Sequence, residues 1–290
     1  MNMNAALEVT GLTKTYPGSR KSTPVVAARD IGFSIDPGAS LGLVGESGSG
    51  KTTVARMIVG LLAQDSGSIA INNRERGRVK RGNRARLERA KEAQMVFQDP
   101  YGSLDRRLSV DATLRDTLRR HRRGVSAEDI SREVSSLMDR VGLATIHADS
   151  RPHQLSGGQR QRVAIAKALA VKPTVLVLDE AVSALDVSVQ AQILRLLNEI
   201  RAESKVCLVF VTHDLAVVGQ VTDQTLVMYQ GQAVEQGPTS EMLRNPRHPY
   251  TEMLLSSAPG PGWQPERVAE LRAEFTKTLR HHEKMGALKT

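Results

Sequence analysis

The sequence predicts an α/β fold built on a mostly parallel sheet, and three observations carry that prediction. Short apolar runs alternate along the chain with longer segments of helical periodicity, the rhythm of strand–helix–strand units. Several of those runs hold almost no polar residue, as strands covered on both faces do. One of them, Leu41-Gly42-Leu43-Val44, passes directly into the glycine-rich turn Gly45-Glu46-Ser47-Gly48-Ser49-Gly50-Lys51-Thr52, after which a helical pattern begins.

Taken in order, strands are expected at 7–9, 41–44, 95–97, 174–178, 206–211 and 225–229. Helices are expected at 51–62, 126–141, 157–170, 187–200 and 215–220. Residues 102–170 break the alternation, because they carry helical patterns without a good strand, and they read as a helical subdomain inserted into the sheet domain. Beyond Pro238 the character changes. Asn245-Pro246-Arg247-His248-Pro249-Tyr250 is turn chemistry, a short helix is expected at 251–256, and Ala258-Pro259-Gly260-Pro261-Gly262 is a break. Residues 263–290 form a polar tail, read as a loosely held helix.

At 290 residues the chain is long enough for one or two domains with a real core. Its 40% hydrophobic and 24% charged content is that of an ordinary soluble protein. No apolar run reaches the roughly 18 residues that span a bilayer, and Met1-Asn2-Met3-Asn4 shows no secretory signal. The single cysteine, Cys207, cannot form a disulfide within the chain. It lies in the run Val206-Cys207-Leu208-Val209-Phe210 and reads as a buried strand residue in a reducing compartment.

The net charge is +9, and much of it sits at Arg74, Arg76, Arg78, Lys80, Arg81, Arg84, Arg86, Arg89 and Lys91. That stretch contains no aromatic residue, so it offers no base-stacking platform. It reads as a solvated basic loop and helix, with anionic lipid headgroups or nucleic acid as its alternative uses.

The 45–52 segment fits G-x-x-x-x-G-K-[ST] in the context that pattern requires, a strand before and a helix after. Glycines let the backbone wrap so that its N–H groups face phosphate oxygens. The helix start adds its positive end, Lys51 reaches the β- and γ-phosphates, and the Thr52 hydroxyl is a Mg²⁺ ligand. Val175-Leu176-Val177-Leu178-Asp179-Glu180 is an apolar strand ending in two carboxylates. At such an edge Asp179 is placed for the Mg²⁺ shell, and Glu180 is placed to orient or deprotonate an attacking water. Leu155-Ser156-Gly157-Gly158-Gln159 precedes a further helical pattern. Ser156 is its N-cap, and the helix end can serve as a second anion site aimed at a γ-phosphate.

Together these three segments resemble the nucleotide-binding subunit of ABC transporters, over about residues 7–260. The resemblance implies a P-loop NTPase (RecA-like) core with an antiparallel β part, an ATPase domain over 7–257 and a C-terminal extension over 234–262. It implies ATP and Mg²⁺ as cofactors, with residues 45–52 and Thr53 around the nucleotide. It also assigns roles one residue at a time. Tyr16 matches the aromatic that stacks on adenine. Gln98 matches the glutamine that touches Mg²⁺ and water and relays to the membrane subunit. Asp186 matches the loop coupling the two ATP sites, and His213 matches the histidine at the γ-phosphate. Two such subunits face each other head to tail, each ATP lying between one cradle and the partner's Ser156, Gly157, Gly158 and Gln159.

Three further segments are similar to the oligopeptide/dipeptide/nickel importer ATPases: Gln98-Asp99-Pro100-Tyr101-Gly102-Ser103-Leu104, Ser183-Ala184-Leu185-Asp186-Val187-Ser188-Val189-Gln190-Ala191-Gln192 and Arg247-His248-Pro249-Tyr250-Thr251-Glu252-Met253-Leu254-Leu255. The partners this implies are a second ATPase subunit, two integral membrane permease subunits and, indirectly, a solute-binding protein, at the cytoplasmic face of the inner membrane. Nucleic acid is not expected. Ala181 and Arg106 stand where relatives commonly carry proline, and Gln154 stands where glutamate is usual. With one cysteine, the chain cannot carry the iron–sulfur cluster of some relatives. A soluble ABC ATPase of phosphonate-degradation type and a nucleic-acid-associated ABC protein are the alternative readings.

Overall fold

The structure is a computed structural model that describes residues 5–18, 23–77, 82–122, 124–257 and Phe275. The expected break at 258–262 and, apart from Phe275, the tail at 263–290 lie outside those residues, as do Arg78, Lys80 and Arg81 of the basic stretch.

The parallel sheet is the frame. Strands β3 (Ser40–Val44), β6 (Ala93–Val96), β7 (Val175–Asp179), β8 (Cys207–Thr212) and β9 (Gln224–Tyr229) run parallel in the order β9-β3-β8-β7-β6, and β10 (Gln232–Pro238) closes the β9 edge antiparallel. Every residue of β3, β7 and β8 is buried. Alternation explains how both faces are used. Leu176, Leu178, Leu208 and Phe210 pack into one core, and Val175, Val177, Val209 and Val211 into another. Cys207 is buried in β8 as its apolar neighbours require, and burial pushes its thiol pKa up.

The second core fills the space between the parallel sheet, α1 (Lys51–Val59) and a four-stranded antiparallel sheet of order β2-β1-β4-β5. In that sheet β1 is Leu7–Tyr16, β2 Val25–Ile35, β4 Ser66–Ile71 and β5 Arg74–Glu75. Strands β2, β4 and β10 carry too many exposed polar positions to register as apolar runs, and β1 extends seven residues past its expected end. Helix α1 stops at Val59 rather than 62, because Gly60 at φ 79° takes the left-handed cap conformation.

The first core lies under the helices that follow β6: α3 (Pro100–Ser103), α4 (Val110–His121), α5 (Ala127–Arg140) and α6 (Gly157–Leu169), with α7 (Val187–Ser204) beyond β7. Side-chain caps set their starts. Ser109, Ser126 and Ser156 each accept the N–H three residues on, which satisfies a donor the helix leaves open. A third core joins α8 (Leu215–Val221), α9 (Thr239–Arg244) and α10 (Pro249–Ser257) to Val44 and Val227 of the sheet.

The basic stretch needs one correction. Arg76 is not solvated: it is 8% exposed, donates to Glu92 at 2.8 Å and to the Ile58 carbonyl, and so ties the antiparallel sheet to α1 and to α2 (Asn83–Glu92). A guanidinium can be buried there because its fork meets a carboxylate and a carbonyl together.

Candidate functional site

In a parallel sheet all strands end at one edge, and that edge collects the chemistry. Val44 pairs with Thr212, Asp179 with Val211 and Val96 with Leu178. The segments that leave β3, β7, β8 and β6 therefore emerge side by side. They carry residues 45–53, Glu180, His213 and Gln98.

The glycine-rich loop folds as the cradle its sequence encodes. Gly45, Gly48 and Gly50 have φ of 155°, 83° and 103°, a region L side chains rarely adopt. A Cβ at Gly45 would run into the Met228 carbonyl, and one at Gly50 into the Ala27 carbonyl. Lys51 is 4% exposed, and its Nζ donates to the Gly45 carbonyl at 2.7 Å and the Glu46 carbonyl at 2.8 Å. Burial pulls its pKa down, and Glu180, Asp179 and Glu46 oppose that pull. The Thr52 hydroxyl donates to Asp179 Oδ1 at 3.0 Å. Burial raises the Asp179 carboxyl above the ordinary range, against the hydrogen bond from Thr52.

Glu180 stands at φ 47°, a conformation that costs a non-glycine residue roughly 1–3 kcal/mol. The fold holds it there. Its N–H donates to the Val211 carbonyl at 2.9 Å, and its carbonyl accepts from the Ser183 N–H at 3.2 Å and the Ser183 hydroxyl at 2.9 Å. The turn aims the carboxylate across the strand ends, where His213 Nδ1 lies 3.7 Å from Glu180 Oε1.

The other expected residues stand elsewhere. Gln98 is exposed just past β6. Tyr16 ends β1, paired with Val25, and is 38% exposed. Ser156 is exposed at the start of α6. Its Oγ accepts the Gln159 N–H at 3.2 Å, and Gln159 Oε1 accepts the Ser156 N–H at 2.8 Å, a reciprocal capping box. Gly158 packs so closely on α7 that a Cβ would come within 2.5 Å of Val189 Cγ1. Asp186 precedes α7, and its carbonyl accepts the Gln190 N–H at 2.8 Å.

One residue against the cradle escaped the sequence reading. Tyr250 is fully buried, and its hydroxyl accepts the Glu46 N–H at 2.9 Å. The His-Pro-Tyr motif marked the segment, but nothing local shows that its ring reaches a loop so far away in sequence.

Two family models match the chain. The family described as ABC transporter matches residues 28–183, and the one described as oligopeptide/dipeptide transporter, C-terminal region, matches 234–284. The chain is similar to the oligopeptide transport ATP-binding protein OppF of Bacillus subtilis, 42% identical over 243 residues, covering 84% of this chain and 79% of OppF. It is equally similar to the glutathione import ATP-binding protein GsiA of Salmonella typhimurium, 42% identical over 258 residues. That match covers 87% of this chain but only 41% of GsiA. Among solved structures, cbiO1 of Clostridium perfringens, part of the ABC transporter complex cbiONQ, has a TM-score of 0.72 at 28% identity, over 83% of this chain and 92% of that one. A dimeric ATP-binding cassette in a post-hydrolysis state with ADP and phosphate has a TM-score of 0.72 at 27% identity, over 80% and 98%.

Proposed function

This chain belongs to the ABC transporter family, and on that footing we propose how its residues divide the work of an ATPase of the peptide-importer type. One observation carries the reading: a single sheet edge brings the Lys51–Thr52 cradle, the Asp179–Glu180 pair and His213 together, with Thr52 bonded to Asp179 at 3.0 Å.

Residues 45–53 enclose the phosphates of ATP, and Lys51 exchanges its backbone acceptors for phosphate oxygens. Tyr16 supports the adenine. Thr52, Asp179 and Gln98 fit a hard divalent cation: all offer oxygen, and the buried carboxylate is one a cation would hold ionised. Among the described residues no group of three or more His, Cys, Asp and Glu could hold a metal unaided. The remaining positions would thus fall to phosphate oxygens and water, as suits magnesium. Bound there, Mg²⁺ supplies neutralisation of the phosphate charge.

Glu180 takes the proton of the attacking water or orients it, and its fixed turn keeps the carboxylate aimed. His213 contacts the γ-phosphate beside it. Ser156, Gly157, Gly158 and Gln159 close on the ATP held by a second subunit, and Asp186 links the two sites. A γ-phosphate gripped from both sides holds the pair together only while it is present, so hydrolysis opens it.

Membrane subunits follow that motion. A groove of about 570 Å³ lies between the end of α1, α2 and β6, lined by Leu61, Met95 and Phe97 together with Arg86 and Arg89. Its mix of apolar and cationic lining suits an amphipathic permease segment bearing a carboxylate. Among the described residues no helix is long and apolar enough to cross a membrane. That is in keeping with a peripheral subunit at the cytoplasmic face, serving two permeases and a solute-binding protein. The relatives named for oligopeptide transport and glutathione import support a short peptide as the cargo.

Glu180→Gln tests the assignment. The variant binds ATP and pairs with a second subunit, but its turnover falls about a hundredfold or more. Hydrolysis at the parental rate would remove Glu180 from its role.

A further inference from the structure

We propose that Tyr250 is a positioning residue of the nucleotide site: it holds the phosphate loop through the Glu46 peptide, so that the C-terminal segment sets nucleotide affinity. This rests on the reading that residues 45–52 bind phosphate.

A chain of bonds leads from the sheet to the loop. Glu235 in β10 accepts the Arg247 N–H at 2.9 Å with one oxygen and the His248 N–H at 3.0 Å with the other. That fixes the turn into α10. His248 Nδ1 then accepts the Tyr250 N–H at 3.1 Å, which sets the first turn of the helix. The Tyr250 ring packs with Tyr229 and Phe275 in a cluster of three, at centroid distances of 4.6 and 5.4 Å from them. Its hydroxyl meets the Glu46 N–H at 2.9 Å. A buried phenol and a backbone N–H each require a partner, so this bond serves both.

The same wall touches the loop twice more. The Gly231 N–H, in the turn between β9 and β10, donates to the Ser49 carbonyl at 3.0 Å. The Met228 carbonyl of β9 stands where a side chain on Gly45 would go. The β9–β10 hairpin and α10 thus brace the outside of the cradle at Gly45, Glu46 and Ser49. A loop with three left-handed glycines has many other shapes open to it, and a phosphate pays for selecting the one that binds. Bracing lowers that cost and raises affinity without touching the reacting atoms.

Tyr250→Phe in the full chain tests this, because it keeps the ring and removes only the hydroxyl. The readouts are titration with a fluorescent ATP analogue and with ADP, steady-state ATPase kinetics and amide hydrogen exchange. Loss of one such bond predicts dissociation constants for both nucleotides weakened about two- to tenfold. KM for ATP rises by the same factor while kcat holds, and amides 46–50 exchange faster while β7 and β8 keep their protection. Glu235→Gln, which loosens the turn from its other end, shifts both readouts less and in the same direction. Parental affinity and parental exchange in Tyr250→Phe overturn the proposal, and so does a lower melting temperature with affinity unchanged, which would mark the residue as packing alone. If the parental chain binds neither nucleotide, the reading of the loop fails first, and this inference with it.

Discussion

At residues 45–54 the chain grips itself from every side: Lys51 donates into the loop's own carbonyls, Thr52 bonds Asp179, Tyr250 takes the Glu46 N–H, and α1 begins with the Val54 N–H donating to Gly50. At residues 156–159 the chain does little more than start a helix. Ser156 is exposed and its hydroxyl is occupied in the capping box, while Gly158 is pressed against Val189. Both segments are anion-binding helix ends by chemistry. The first gathers a lysine, two carboxylates and a histidine at one sheet edge, whereas at the second His147 Nε2 lies 3.0 Å from Gln159 Nε2. On the proposed function, the second is a surface that acts when another subunit supplies the phosphate. The contrast teaches that a helix end becomes a site through what other strands bring to it.

Lys51→Ala strikes the built half and has the largest effect after Glu180→Gln. ATP affinity falls about ten- to a hundredfold, the range for losing bonds to a charged group, as isothermal titration would show. The fold survives, because burial already works against that ammonium. Ser156→Ala strikes the other half. It removes a cap and lowers stability by about 0.5–2 kcal/mol in denaturant unfolding. It prevents ATP-driven pairing and leaves the nucleotide affinity of the separate subunit unchanged. If that affinity falls as it does in Lys51→Ala, the contrast between the halves is broken.

The smallest effect concerns Asp179 in the nucleotide-free protein. Its folded pKa is raised above the ordinary 3.8 by burial. The stability it contributes is therefore complete below the unfolded value and is lost as pH rises through the folded one. At neutral pH the ionised carboxylate is a cost. Asp179→Asn should raise the melting temperature at pH 7 by roughly a few degrees, remove that part of the pH dependence and abolish turnover. A lower melting temperature at pH 7 would show that the carboxylate stabilises the empty cradle.

The legible part of the site was the part written in contiguous residues. The cradle, the strand ending in Asp179 and Glu180, and Ser156 as a cap each depend on spacings of a few residues, which backbone geometry fixes. Cys207 was equally plain, since a cysteine in an unbroken apolar run has only the sheet to enter. Strands β2, β4 and β10 were not legible, because a strand with one wet face alternates weakly and bulges disturb the period. Arg76 looked like one more surface cation in a basic stretch. Its burial depends on Glu92 and Ile58, which reach it from two different elements.

By itself the sequence determined which segments become buried strands, where a glycine-rich loop turns into a helix and which charged residues follow the strand ends. Those properties follow from side-chain period, glycine conformation and the chemistry of neighbours along the chain. Only the tertiary structure decided that Glu180 faces His213, that the Arg76 guanidinium is a buried tie and that Tyr250 braces a loop 204 residues before it. Such contacts are set by strand order and helix packing. Each joins groups whose separation along the chain says nothing of their distance in space.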